Sequence, residues 1–149
     1  MKQAVLSFVS CSGKREDNIR GSVRAAECLP ETTVLAKSEF YETQPQRFGR
    51  LEYGCVSACA VILTGMRPDF LYGACAGIAA ALGGDPDVRK DAAAIQICLL
   101  IYDGVHCRDG ELILPNRDLL KLPWILRPLS ELFQSGKALD CAFDTTFLE

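Results

Sequence analysis

Charge-free apolar segments recur along this chain, and each is long enough for one strand or one helix of a packed core but no longer. The clearest is Ala92–Tyr102, rich in Ile and Leu and ended by Asp103-Gly104, which reads as a central strand. Val5–Val9 is apolar apart from Ser7, as a strand buried on both faces is, and it runs into the small-residue turn Ser10-Cys11-Ser12-Gly13. No run approaches the roughly 20 residues that a membrane helix needs. The first residues are also too short an apolar run for a secretory leader, so a cytoplasmic protein with no membrane partner is expected.

Between these segments, Ile19, Val23 and Ala26 share one helical face within Glu16–Leu29, and Thr32–Ala36 reads as a second strand. Lys37–Arg50 lacks periodicity and is expected to be an exposed connection. Glu52–Met66 carries Gly54, Ser57, Ala58 and Ala60, which reads as a helix with a close-packing face and Gly65 as its cap. Phe70–Cys75 is expected to be a strand opening into the small-residue stretch Ala76–Gly84. Glu111–Leu114 is a short strand candidate, and Leu122–Pro128 is expected to be extended because each proline disfavours helix before it. Pro128–Gln134 then makes a short helix capped by Gly136, and Ala138–Phe147 a last strand. Such alternation predicts one three-layer α/β domain over residues 1–149, with a mostly parallel or mixed sheet covered by helices on both faces. At 149 residues the chain can bury one sizeable core.

Sixteen Lys plus Arg against nineteen Asp plus Glu leave a net charge of -3, with the basic residues scattered, so no footprint for nucleic acid is present. The eight cysteines sit singly inside apolar segments, which favours reduced, buried thiols.

Phe48-Gly49-Arg50, the small-residue segment to Met66, and Arg67-Pro68-Asp69-Phe70-Leu71-Tyr72-Gly73-Ala74-Cys75-Ala76-Gly77-Ile78 together resemble the central signature of the nucleoside phosphorylase/nucleosidase family. The resemblance continues faintly through Lys90-Asp91, Tyr102-Asp103-Gly104 and Asp109-Gly110. It implies a truncated phosphorylase-like fold whose Ala74, Cys75, Ala76 and Gly77 line a pocket for a purine nucleoside. The implied chemistry is N-glycosidic cleavage, with inorganic phosphate as the one conceivable co-substrate and no other cofactor. A competing account of Gly73 and Gly77 is that they only permit tight packing.

The family's Met-Glu segment and its purine-protonating Asp have no counterpart here, and Asp140 and Asp144 lie in unrelated surroundings, so no catalytic residue is assigned. A catalytically inactive ligand-sensing or assembly module of the same fold is the alternative. An incomplete sheet would leave an exposed edge, which predicts a homo-oligomer.

The first strand's loop offers Gly13, Lys14 and Arg15, whose amides and cations could hold a phosphate or other anion; a solvated turn explains them equally. Cys11 beside these cations suggests a third reading, a thiol or redox protein. Cys55 and Cys59 lack a His or carboxylate on their predicted helix face, so no metal site is expected; His106 and Cys107, as adjacent strand residues, point to opposite faces, so a Cys107 nucleophile with His106 as its base is not expected either. Trp124 is read as an anchor for the C-terminal segment.

Overall fold

The computed structural model describes residues 1–43, 54–83 and 94–134. Its elements are β1 (Lys2–Ser10), α1 (Arg15–Glu27), β2 (Thr32–Lys37), β3 (Tyr41–Thr43), β4 (Cys55–Thr64) and α2 (Pro68–Gly83). After these come β5 (Gln96–Tyr102), β6 (Cys107–Asp109), β7 (Leu112–Leu114), α3 (Arg117–Leu120) and α4 (Pro123–Gln134).

The main sheet runs β2-β4-β1-β5, with β3 also on β4, and every pairing in it is antiparallel. This corrects the parallel or mixed, phosphorylase-like sheet expected from the sequence. β1 and β2 do run the same way and are joined by α1, but β4 lies between them and opposes both. β5 is an outer strand of this order, not a central one.

Two segments exchanged character relative to expectation. The expected helix over 52–66 is strand β4 in its described part, where Cys55–Ile62 is buried on both faces and therefore shows no alternation of polarity. The expected strand Phe70–Cys75 lies inside helix α2. Pro68 starts that helix, where a missing N–H costs nothing, Asp69 complements the dipole, and the alanines that follow favour helix. The extended stretch expected at 122–128 is also helical: Pro123 opens α4, and Pro128 is buried within it. The expected strand at 138–147, the Gly136 cap, Asp140 and Asp144 lie outside the described residues.

α1 and α2 cover one face of the sheet, where Leu6, Phe8, Ile19, Val23, Ala58, Ile62, Leu71 and Cys75 form the larger core. α3 and α4 cover the other, where Val5, Val61, Leu100, Leu120, Ile125, Leu129 and Leu132 pack together. Sequestering a side chain such as Phe8, Leu6 or Leu129, each fully buried, contributes about 1.5–3 kcal/mol. Among the described residues, no helix is long and apolar enough to cross a membrane.

Candidate functional site

One end of the sheet gathers the polar side chains that the core leaves over. Strand pairing puts Gln96, Val9, Ser57 and Tyr41 in a single row across β5, β1, β4 and β3. The alternation of side chains along each strand turns that row toward α4, because Val56 and Ala58 on either side of Ser57 belong to the α1 face. The neighbouring row is Cys98, Ser7 and Cys59.

Ser57 and Ser7 are both 1% exposed, and their hydroxyls find no hydrogen-bond partner among the described residues. Leaving a buried hydroxyl unmatched costs about 1–3 kcal/mol, so a ligand group that reaches Ser57 recovers that cost on binding.

Beyond this row, Cys11 and Cys55 form a disulfide that joins the end of β1 to the start of β4, and Trp124 from α4 packs against Val9 and that bridge. The reduced thiols expected at these two positions, and the activated Cys11 thiol with them, are therefore corrected: a disulfide-bonded sulfur is neither nucleophile nor acid. Cys59 lies on a buried strand and not on a helix, and burial pushes its thiol pKa up.

The surrounding walls are tied down. Asn18 spans the β1–α1 turn, its side-chain amide 3.2 Å from Ser10 Oγ, 3.1 Å from the Ser12 carbonyl and 3.2 Å from the Ala94 carbonyl. The Ser10 hydroxyl donates to the Ala94 carbonyl as well. On the other side, Glu131 of α4 accepts from the Tyr41 hydroxyl at 2.7 Å and from the Glu39 backbone N–H at 3.1 Å. That hydrogen bond, helped by burial, raises the Tyr41 pKa above its usual value.

Of the residues singled out from sequence, Gly13, Lys14 and Arg15 stand at this same end. Gly13 takes a left-handed φ of 70° in the turn, and Lys14 is the exposed N-cap of α1. Arg15 donates to Glu42 at 3.0 Å. A Cβ on Gly54 would sit 3.0 Å from the Arg15 guanidinium, so glycine is what lets Arg15 lie beside the start of β4. Ala74, Cys75, Ala76 and Gly77 lie in the middle of α2, on the opposite face of the sheet. Cys75 is packed into the larger core, and burial pushes its pKa up to about 12.

Ser57, Gln96 and Tyr41 carried no sequence signal, because strand pairing brings them together, and Asn18 none, because it arrives with the docking of α1. Among the described residues, no group of three His, Cys, Asp or Glu is placed to hold a metal ion.

Comparison with known proteins shows the family of the chain as a whole. The model of the 7,8-dihydro-6-hydroxymethylpterin-pyrophosphokinase family matches residues 5–134. The 2-amino-4-hydroxy-6-hydroxymethyldihydropteridine pyrophosphokinase of Methylorubrum extorquens is 31% identical over 133 residues, which span 89% of this chain and 83% of that protein. The folic acid synthesis protein fol1 of Schizosaccharomyces pombe is 27% identical over 128 residues, 86% of this chain but 17% of that much longer protein. These matches overturn the resemblance to nucleoside phosphorylases and nucleosidases, and with it the purine nucleoside ligand, the glycosidic cleavage, the inactive module of that fold and the thiol-redox reading. The Ala-Gly stretch behind that resemblance is a small-residue helix, not a strand end beside a ligand.

Proposed function

The chain belongs to the 7,8-dihydro-6-hydroxymethylpterin-pyrophosphokinase family, matched over residues 5–134, and on that premise we propose that it binds a 6-hydroxymethyl-7,8-dihydropterin and takes part in diphosphoryl transfer to its hydroxymethyl oxygen. The observation that carries this reading is the row Gln96, Val9, Ser57 and Tyr41 with Trp124 beside it.

A pterin is a flat bicyclic ring with donors and acceptors along its pyrimidinone edge. A flat ring of this kind is held by an aromatic or apolar surface and oriented by a few polar groups placed at its edge. Trp124 and Val9 supply the apolar surface, and the Ser57 hydroxyl, buried and without a hydrogen-bond partner among the described residues, supplies a hydrogen bond that a ligand could complete. Gln96 adds a side chain able both to donate and to accept.

In the reaction that the family's name states, the hydroxymethyl oxygen attacks the β-phosphorus of a nucleoside triphosphate. The bond between the α–β bridging oxygen and that phosphorus breaks, the hydroxyl proton is released, and a nucleoside monophosphate leaves. Catalysis of such transfers is mainly positioning and charge neutralisation. We assign Lys14, exposed at the head of α1, to the donor's phosphates. Arg15 acts through Glu42, which holds the turn against β3.

Phosphoryl transfer ordinarily recruits a divalent cation held by carboxylates together with the phosphates. The described residues do not fit one, since no suitable cluster of donors is formed among them.

Calorimetric titration with 6-hydroxymethyl-7,8-dihydropterin tests the reading, followed by phosphorus NMR after addition of adenosine triphosphate and magnesium. Saturable binding with one site per chain, then release of adenosine monophosphate, is the expected result. A folded protein that takes up no pterin would overturn it.

A further inference from the structure

On the other face of the sheet from the pterin row lies a cavity of about 400 Å³. Its origin is local. β2 slips register against β4 between Val34 and Ala36 and ends at Lys37; Ser38 still donates its N–H to the Cys59 carbonyl at 2.9 Å, and the next strand pairing with β4 begins at Tyr41. Where residues 38–40 cross this gap, β4 presents Ala58 opposite Phe8, and alanine is too short to fill the space below α1.

The floor is apolar and buried: Phe8, Ile19, Val23 and Ala58. The mouth is charged. Arg20 already serves Asp17 at 3.1 Å and Glu16 at 3.4 Å, and its guanidinium lies 4.9 Å from the centre of the Phe40 ring, fixing that ring as one wall. Arg24 and Lys37 are exposed cations on the rim and form no ion pair among the described residues. Glu27 and Glu39 share the mouth, and with Arg20 already paired to Asp17 and Glu16, the cations left to meet a ligand are Arg24 and Lys37.

We propose that this cavity is a binding site for a small aromatic monoanion, its ring on the Phe8 and Ala58 floor beside Phe40 and its charge between Arg24 and Lys37. The volume lies within the range of small-molecule pockets. Its apolar floor supplies binding energy from buried area, and the two cations supply orientation. Arg24 and Lys37 can together hold one negative charge, whereas the further charges of a polyphosphate would meet Glu27 and Glu39. The site shares no side chain with the pterin row and stands or falls independently of the proposed function.

The test uses two dyes on the whole chain: 1-anilinonaphthalene-8-sulfonate, and its uncharged analogue N-phenyl-1-naphthylamine. The sulfonate is expected to bind saturably, one per chain, with at least tenfold weaker binding in the surface variant Arg24→Glu/Lys37→Glu. The uncharged dye should bind that variant unchanged, and Phe40→Ala should weaken both dyes. Ser57→Ala should alter neither. Non-saturating sulfonate fluorescence, or equal affinity in the charge-reversed variant with an unchanged circular dichroism spectrum, would overturn the proposal.

Discussion

The Asn18 side-chain amide lies 3.2 Å from the Ala94 carbonyl, holding the turn after β1 against the chain just before β5. The same nitrogen also reaches Ser10 Oγ and the Ser12 carbonyl, so one side chain closes one side of the candidate site. Asn18→Ala leaves these partly buried acceptors short of a donor and is expected to cost about 1–3 kcal/mol. Urea unfolding followed by circular dichroism measures it; an unchanged midpoint would show that the turn holds without Asn18.

Ser57→Ala should separate stability from binding. Removing a buried hydroxyl that has no partner among the described residues relieves a desolvation cost, so the variant is expected to match or exceed the parent in urea midpoint. Affinity for 6-hydroxymethyl-7,8-dihydropterin should fall about tenfold, the loss of roughly one hydrogen bond's 1.4 kcal/mol. A destabilised variant with intact pterin affinity would mean that the hydroxyl serves the fold and not the ligand.

The Cys11–Cys55 bridge closes a sequence separation of 44 residues. Loop-closure entropy of that length predicts that Cys11→Ala/Cys55→Ala loses about 2–4 kcal/mol. The double variant, compared with the parent by urea unfolding under identical redox conditions, gives the value directly. The bridge also meets the proposed ring surface, so pterin affinity should drop alongside stability.

Tyr41, Tyr72 and Tyr102 all hold their protons above the usual phenol value in the folded chain. For Tyr41 the leading cause is the hydrogen bond to Glu131; for Tyr72 it is burial, then Glu111; for Tyr102 it is burial. Because the folded chain retains protons that the unfolded chain releases, this contribution is complete below about pH 10 and declines as pH rises through the folded values. Stability measured between neutral and strongly alkaline pH should therefore fall at the top of the range, and less so in Tyr41→Phe.

Much of the first half of the fold was legible: β1, α1 and β2 follow from an apolar run, a helical face and a second run, and they fall where expected. What misled was a pair of neighbours. Cys55–Thr64 is buried on both faces and so has no period to read, while Phe70–Cys75 has strand-like residues inside a helix started by Pro68. Exchanging those two elements turned an antiparallel sheet into a parallel one. It also made Ala74–Gly77 look like a strand end beside a ligand, when the segment packs on the far face. The turn that carries Gly13, Lys14 and Arg15 was legible because a turn after a first strand is a local feature. Ser57, Gln96 and Tyr41 were not, because their meeting depends on register between strands distant in sequence.

Trp124 is the chain's single tryptophan, and it rests on the Cys11–Cys55 bridge. A disulfide in contact with an excited indole accepts its electron and returns it without light, so the oxidised protein should be nearly dark on excitation at the red edge of the ultraviolet band. Opening the bridge, or sliding a ring between it and the indole, changes that electronic coupling. The molecule thus carries its own optical reporter at the surface proposed for the pterin ring.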